Sequence, residues 1–246
     1  MYQFFVEPEQ IQGNKIIITG KDVNHIKNVL RMKVEEEISI SNGMDGKEYR
    51  CGIKEFNGEE IVCEVRFIKE DGVELPSKIY LFQGLPKADK MEWIIQKAVE
   101  LGVYEVIPVA VNRSVVKLDE RKAQSKILRW KKVAEAAAKQ SKRGIIPGVR
   151  NVMSFREAID YSRCADIKII PYELAEGMEK TREVFDSLRP GKNVAVFIGP
   201  EGGFSTEEIE DAIKAGIVPV TLGRRILRTE TAGMTVLSII MYHLEQ

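Results

Sequence analysis

NVAVFIGPEGGFSTEEIEDAIKAGIVPVTLG, residues 193–223, is the stretch whose reading decides the fold class. It begins and ends with short runs, NVAVFIG and IVPVTLG, that are apolar almost without interruption. Such runs suit strands of a sheet covered on both faces. Between them Ser205 and Glu208 have the spacing of a capping box, and Gly216 stands where a helix ends. Strand, helix and strand in this order imply a parallel pairing.

The same grammar extends upstream to Ser77. KIYLFQG (residues 78–84), VYEVIPVAV (103–111) and DIKIIPY (166–172) read as further strands. A helix is expected over residues 88–101, with Met91, Ile94, Ile95 and Ala98 as its apolar stripe and Gly102 as a left-handed terminator. Longer helices are expected over residues 123–141 and 231–244. The first 70 residues differ. EISIS, KEYRCGI and EEIVCEVRFI are short strands separated by the turns NGMDG and FNG, preceded by one helical stretch over residues 22–32. EDGVELPS reads as a linker. The expected organisation is a small β-rich module, residues 1–72, and an α/β domain with a mostly parallel sheet, residues 73–246.

Composition narrows the function classes. The 246 residues are 44% hydrophobic and 30% charged, ordinary for a globular protein. No apolar run approaches the roughly 18 residues of a membrane span, and no secretory signal is visible at the N-terminus. Three scattered cysteines without a CxxC, and only two histidines, argue against a disulfide framework and a metal site. A reduced cytoplasmic setting follows. Cys164 is expected to pack as a small hydrophobe. The net charge is zero but unevenly spread: −5 over residues 1–74, +9 over 75–150 and −4 over 151–246. A basic block of this kind marks either a polyanion-binding face or helices with solvated charge.

Ligands of open α/β sheets bind at the carboxyl ends of the strands. Three such ends stand out. Pro171-Tyr172-Glu173 ends one strand, and Gly199-Pro200-Glu201-Gly202-Gly203 ends another. The third runs from Leu222-Gly223 through Arg224, Arg225, Ile226, Leu227, Arg228, Thr229, Glu230 and Thr231 to Ala232-Gly233. The glycine-rich turn lacks the GxxxxGK[ST] and GxGxxG patterns, and Glu201 would repel phosphate. It is either a loop approaching a neutral or cationic ligand or a tight turn with no ligand. Arginines of the third segment suit RNA phosphates or an anion forming on a substrate. Glu230 is either a reacting carboxylate or an acid favoured by a helix N-terminus. Lys87 and Lys90 precede the first α/β helix, and Arg113 follows the second strand.

Together these segments resemble the bacterial 16S rRNA uridine-N3 methyltransferase family, of the SPOUT (trefoil-knot) class. The resemblance rests on NHIKNVLRMK, LPKADKMEWIIQKAVELGV, NRSVVK, RWKKVAEAAAKQSKR, IGPEGGFS and LGRRILRTETA, and covers nearly the whole chain. It implies a PUA-like β-barrel followed by a knotted α/β domain, a homodimer, and S-adenosylmethionine as cofactor. The implied cofactor loops are Pro171, Tyr172, Gly199, Pro200, Glu201, Gly202, Gly203, Leu222, Gly223, Ile226, Leu227 and Thr231. For methyl transfer to uracil N3, Arg228 and Arg113 are the candidates for stabilising the uracil anion and Glu230 for accepting the proton. RNA of the small ribosomal subunit would meet Arg31, Lys87, Lys90, Lys131, Lys139, Lys142 and Arg143. No metal and no membrane are implied. The alternative is a non-catalytic RNA-binding or ribosome-assembly protein on the same fold.

Overall fold

A computed structural model of the chain describes every residue except Asp71, Lys117, Leu174, Glu176 and Gln246. It divides into two compact units: Met1–Glu74 with Ala138–Ile146, and Leu75–Ala137 with Pro147–Gln246.

The first unit is a six-stranded mixed sheet. Its strands are β1 (Gln3–Phe5), β2 (Ile11–Gln12), β3 (Lys15–Thr19), β4 (Glu37–Ser41), β5 (Glu48–Asn57) and β6 (Glu60–Lys69). They lie in the order β1-β4-β5-β6-β3-β2, with β1 parallel to β4 and every other pair antiparallel. Two register shifts in β5, at Arg50/Cys51 and Ile53/Glu55, curl the sheet, since each bulge bends its strand. Ile16, Ile18, Ile38, Ile40, Ile53 and Ile61 fill the enclosed side. The expected helix over residues 22–32 is shorter and irregular. α1 (Lys21–Asn24) passes into a wide turn at His25–Val29, where Leu30 N–H reaches back to His25 O. Arg31, at φ +53°, ends it.

Residues 138–146 are clipped into this unit. Ile145 bridges Gly43, and Gln3 Nε2 donates to Arg143 O at 2.7 Å. Gly144 lies so close to the turn at Gly46 that a Cβ would stand 2.5 Å from Gly46 O, so no larger residue fits.

The second unit is a seven-stranded sheet in which every pairing is parallel. It contains β7 (Ile79–Gly84), β8 (Glu105–Ala110), β9 (Gly148–Val149), β10 (Met153–Ser154), β11 (Ile167–Pro171), β12 (Val194–Ile198) and β13 (Val218–Val220). The order is β10-β8-β7-β12-β11-β13, with β9 also on β8. The central strands β7 and β12 are buried along their whole length, and Phe82 stacks on Phe197 across them. Helices α2 (Lys90–Glu100), α3 (Glu120–Gln140), α4 (Phe155–Tyr161), α5 (Met178–Asp186), α6 (Thr206–Lys214) and α7 (Thr229–Leu244) complete it. The expected α/β fold class, a parallel-sheet domain plus a β-rich module, is the one observed. Ser205 and Glu208 form the capping box of α6, and Gly102 and Gly216 are left-handed, as read from the sequence.

After β13, at one edge of the sheet, the chain returns to its centre. α7 packs on α2 and β12. Cys164 departs from expectation: it is exposed, in a short turn after α4, while Cys51 and Cys63 are buried.

Candidate active site

The return of the chain brings α7 to the carboxyl ends of β7 and β12. Gln83, fully buried, donates through Nε2 to Thr229 Oγ1 at 2.9 Å, and Thr229 Oγ1 donates to Gly199 O at 2.6 Å. The first residue of the last helix is thereby pinned to two central strands. At the neighbouring edge, Tyr172 N–H donates to Val220 O at 2.9 Å and ties together the ends of β11 and β13.

The glycine-rich turn rests directly on β7. A Cβ on Gly84 would stand 2.6 Å from Pro200 Cδ and 2.8 Å from Pro200 N, so this approach requires glycine. Gly203 (φ +65°) and Gly223 (φ +107°) occupy the left-handed region, with nothing within 4 Å of where a Cβ would be. Both leave backbone open to an approaching molecule. Arg113 Nη1 donates to Gly202 O at 3.1 Å. The segment carrying Arg113 is fixed by the α6 capping box. The buried Glu208 carboxylate accepts from Ser205 N through one oxygen and from Asn112 N through the other, both at 2.8 Å. One glutamate therefore holds a helix start and the loop after β8 together.

Charged groups from three segments meet beside this turn. Lys90 Nζ lies 2.9 Å from Glu201 Oε1 and 3.4 Å from Glu230 Oε2. Lys87 N–H also donates to the Glu201 carboxylate, at 3.2 Å. Burial pushes the Glu201 carboxyl up, but the Lys90 ammonium and the N–H groups of Glu201 and Lys87 outweigh it and hold the group below its usual value. The same Glu201 hydrogen bond raises Lys90. Glu230 Oε2 is buried and receives no aligned hydrogen bond. Two carboxylates thus share one ammonium, and the Arg113 guanidinium lies on the same turn.

The structure thus brings Arg113, Glu201, Gly202, Lys87, Lys90 and Glu230 together. Arg228 caps the start of α7 with its guanidinium exposed and, among the described residues, unpaired. Leu222, Gly223, Leu227 and Thr231 are half-buried, whereas Ile226 is 80% exposed. The residues assigned to RNA differ in their surroundings. Lys131, Lys142 and Arg31 are exposed. Lys139 pairs with Asp22 at 3.5 Å. Arg143, expected on the basic face, is instead 4% exposed and ion-paired with Glu74. Its planar fork meets the carboxylate through both Nε and Nη2. Among the described residues no group of His, Cys, Asp or Glu is placed to hold a metal, and no helix is long and apolar enough to cross a membrane. A cavity of about 140 Å³, lined in part by Leu85, Pro86, Met91 and Trp130, adjoins the 85–89 turn but shares no residue with the strand-end loops.

Comparison with known proteins places this geometry in a family. Residues 73–241 match the model of an RNA methyltransferase domain. The chain belongs to that RNA methyltransferase family. Residues 18–66 of this family member match a second model, an RNA methyltransferase PUA domain. The ribosomal RNA small subunit methyltransferase E of Bacillus subtilis is 39% identical over 100% of this chain and 98% of its own length. The Aquifex aeolicus protein of the same name is 32% identical, covering 95% and 96%. The crystal structure of the Neisseria gonorrhoeae protein of that name, bound to S-adenosyl methionine, superposes with a TM-score of 0.85 at 30% identity, covering 98% and 97%.

Sequence reading assigned no role to Gln83 or Asn112, and placed Thr229 in the third strand-end segment without its hydrogen bonds. Gln83 alone had a signal, a polar amide at the end of an otherwise apolar strand. Thr229 and Asn112 act through partners 146 and 96 positions away, which no local pattern encodes.

Proposed function

We propose that the chain transfers a methyl group from S-adenosylmethionine to N3 of a uridine in 16S rRNA of the small ribosomal subunit, as a cytoplasmic homodimer. Residues 1–72 serve as the PUA-like RNA-binding module and residues 73–246 as the catalytic domain. The observation that carries the reading is Glu230, whose buried Oε2 lies beside the glycine-rich turn within ion-pair distance of Lys90 but receives no aligned hydrogen bond. The open backbone at Gly203 and Gly223 fits a cofactor held through main-chain groups at residues 199–203 and 222–227, with Pro171, Tyr172 and Thr231 closing the pocket. When bound, S-adenosylmethionine supplies an electrophilic methyl group on a sulfonium.

Uracil N3 carries a proton and is a poor nucleophile until that proton leaves. Glu230 Oε2 accepts it. The unpaired guanidinium of Arg228, with Arg113 as the second candidate, stabilises the uracil anion through directed hydrogen bonds. Glu208 and the Gln83–Thr229 pair hold these groups in place, and such positioning supplies much of the acceleration.

The test is mass-spectrometric mapping of rRNA methylation with and without the protein, followed by single-turnover rates for Glu230→Gln. New methylation at uracil N3 is expected, with the variant slowed about 10²- to 10⁴-fold. A loss below about tenfold removes Glu230 as the proton acceptor. RNA binding without methyl transfer, and no heat on titration with S-adenosylmethionine, returns the protein to the non-catalytic class.

A further inference from the structure

Lys90 reads from the sequence as one more basic residue for RNA. Its surroundings contradict that use. The ammonium contacts two carboxylates, Glu201 at 2.9 Å and Glu230 at 3.4 Å, and is two-thirds buried. A phosphate approaching it would also meet both anions. The three residues come from separate parts of the second unit: the start of α2, the turn after β12 and the first turn of α7. The preceding segment joins the same knot of contacts, because Lys87 N–H donates to Glu201.

We propose that Lys90 is a positioning residue for methyl transfer, whose ammonium ties the glycine-rich turn to the start of the last helix and orients the Glu230 carboxylate toward the substrate. This rests on the proposed role of Glu230. The physical logic is one of aim. Glu230 Oε2 has no aligned hydrogen bond to fix its rotamer, and the Lys90 ion pair is the interaction that restrains it. Without Lys90, two carboxylates would face each other across the site. Their repulsion would rotate Glu230 away from the substrate or draw a proton onto one of them. The charged groups gathered at Glu230 are Lys90 from α2, in contact with it, and Glu201 from the turn, held on the same ammonium.

The experiment compares Lys90→Met and Lys90→Arg in the full-length protein. Single-turnover methylation is measured at saturating rRNA and S-adenosylmethionine, alongside RNA affinity over a salt series. Lys90→Met is expected to slow the saturated rate about 10- to 100-fold, as misplacement of a reacting group does. RNA affinity and its salt slope should stay at the parent values. Lys90→Arg should recover most of the rate, because it restores the cation between the carboxylates. Combining Lys90→Met with Glu230→Gln should cost little beyond Glu230→Gln alone, since the two act as a unit. The proposal is overturned if Lys90→Met keeps the saturated rate within about twofold while the salt slope drops by about one phosphate contact. Multiplying losses in the double variant overturn it as well. Failure of the underlying reading is separate: methyl mapped to an atom other than uracil N3 refutes the reaction assignment, and the double variant still reports whether Lys90 works through Glu230. Should Lys90→Met prove poorly folded by thermal melting, Lys90→Gln, which keeps the stem and removes the charge, gives the same comparison.

Discussion

Replacing Thr229 by Val tests whether the last helix is pinned to the central strands by a hydroxyl. The substitution keeps the branched shape and removes one oxygen. That oxygen accepts from Gln83 Nε2 at 2.9 Å and donates to Gly199 O at 2.6 Å, in a side chain that is 5% exposed. Each such bond contributes about 1 kcal/mol net. Gln83 Nε2 keeps its second acceptor, Gly84 O at 3.0 Å, but Gly199 O loses its hydroxyl donor. The expected destabilisation is therefore about 2–3 kcal/mol, or about 4–12 °C in melting temperature for a unit of this size. Trp93 and Trp130 both belong to the second unit, so urea melts followed by tryptophan fluorescence report on the affected part. Thr229→Ser retains the hydroxyl and should melt within about 1 kcal/mol of the parent. Cofactor affinity should fall in the Val variant, because Gly199 opens the turn assigned to S-adenosylmethionine. A Val variant within about 0.5 kcal/mol of the parent would refute the reasoning. So would a Ser variant that loses as much as Val, since the missing methyl would then be the cause.

Two further outcomes follow from burial. Lys131→Ala with Lys142→Ala should leave melting unchanged and reduce the salt dependence of RNA binding by roughly 0.7–0.9 per lost phosphate contact, whereas Arg143→Ala should unfold the first unit more easily, by about 3 kcal/mol, because Glu74 is left without its partner. An Arg143→Ala protein that melts like the parent and binds RNA with a shallower salt slope would return Arg143 to the RNA face. Burial pushes the thiols of Cys51 and Cys63 up to about 12. Their folded values lie above the unfolded ones, so the stability they contribute is full below about pH 9 and declines as pH rises toward 12. At pH 8 a thiol reagent should modify exposed Cys164 rapidly and the other two only as the first unit opens; three equal rates would contradict the burial.

The parallel sheet was legible because each of its longer strands is a near-continuous apolar run bounded by turn residues, and because α6 carries both its start and its stop in sequence. Shorter elements were not. β1 and β2 span three and two residues, too few to show alternation, and the Gly13-Asn14 turn that joins β2 to β3 went unread. α4 was missed although Ser154 and Glu157 form a capping box of the same kind as Ser205 and Glu208. Its seven residues are simply few for a periodic pattern. The last helix was read as starting at Thr231, two residues after its first residue in the structure. The Thr229 hydroxyl serves Gln83 and Gly199, and the cap position falls to Arg228.

The site itself was half legible for an electrostatic reason. A net charge summed over a segment counts every side chain alike, but folding pairs some of them and leaves others free. The +9 of residues 75–150 includes Lys90 held between Glu201 and Glu230, Arg129 on Glu92, Arg143 on Glu74 and Arg150 on Glu105. Those cations cannot be offered to a phosphate without abandoning a carboxylate, at a cost that rises with burial. The segment of residues 151–246 sums to −4, yet it supplies Arg224, Arg225 and Arg228, all exposed and, among the described residues, unpaired. Their loop leads directly into Thr229 and Glu230, the residues that fix and face the strand-end site. Under the proposed function, the exposed positive charge next to the strand-end site thus comes from the acidic third of the chain. The basic third supplies Lys90 and Arg113, which hold the site's own carboxylate and backbone carbonyl in place.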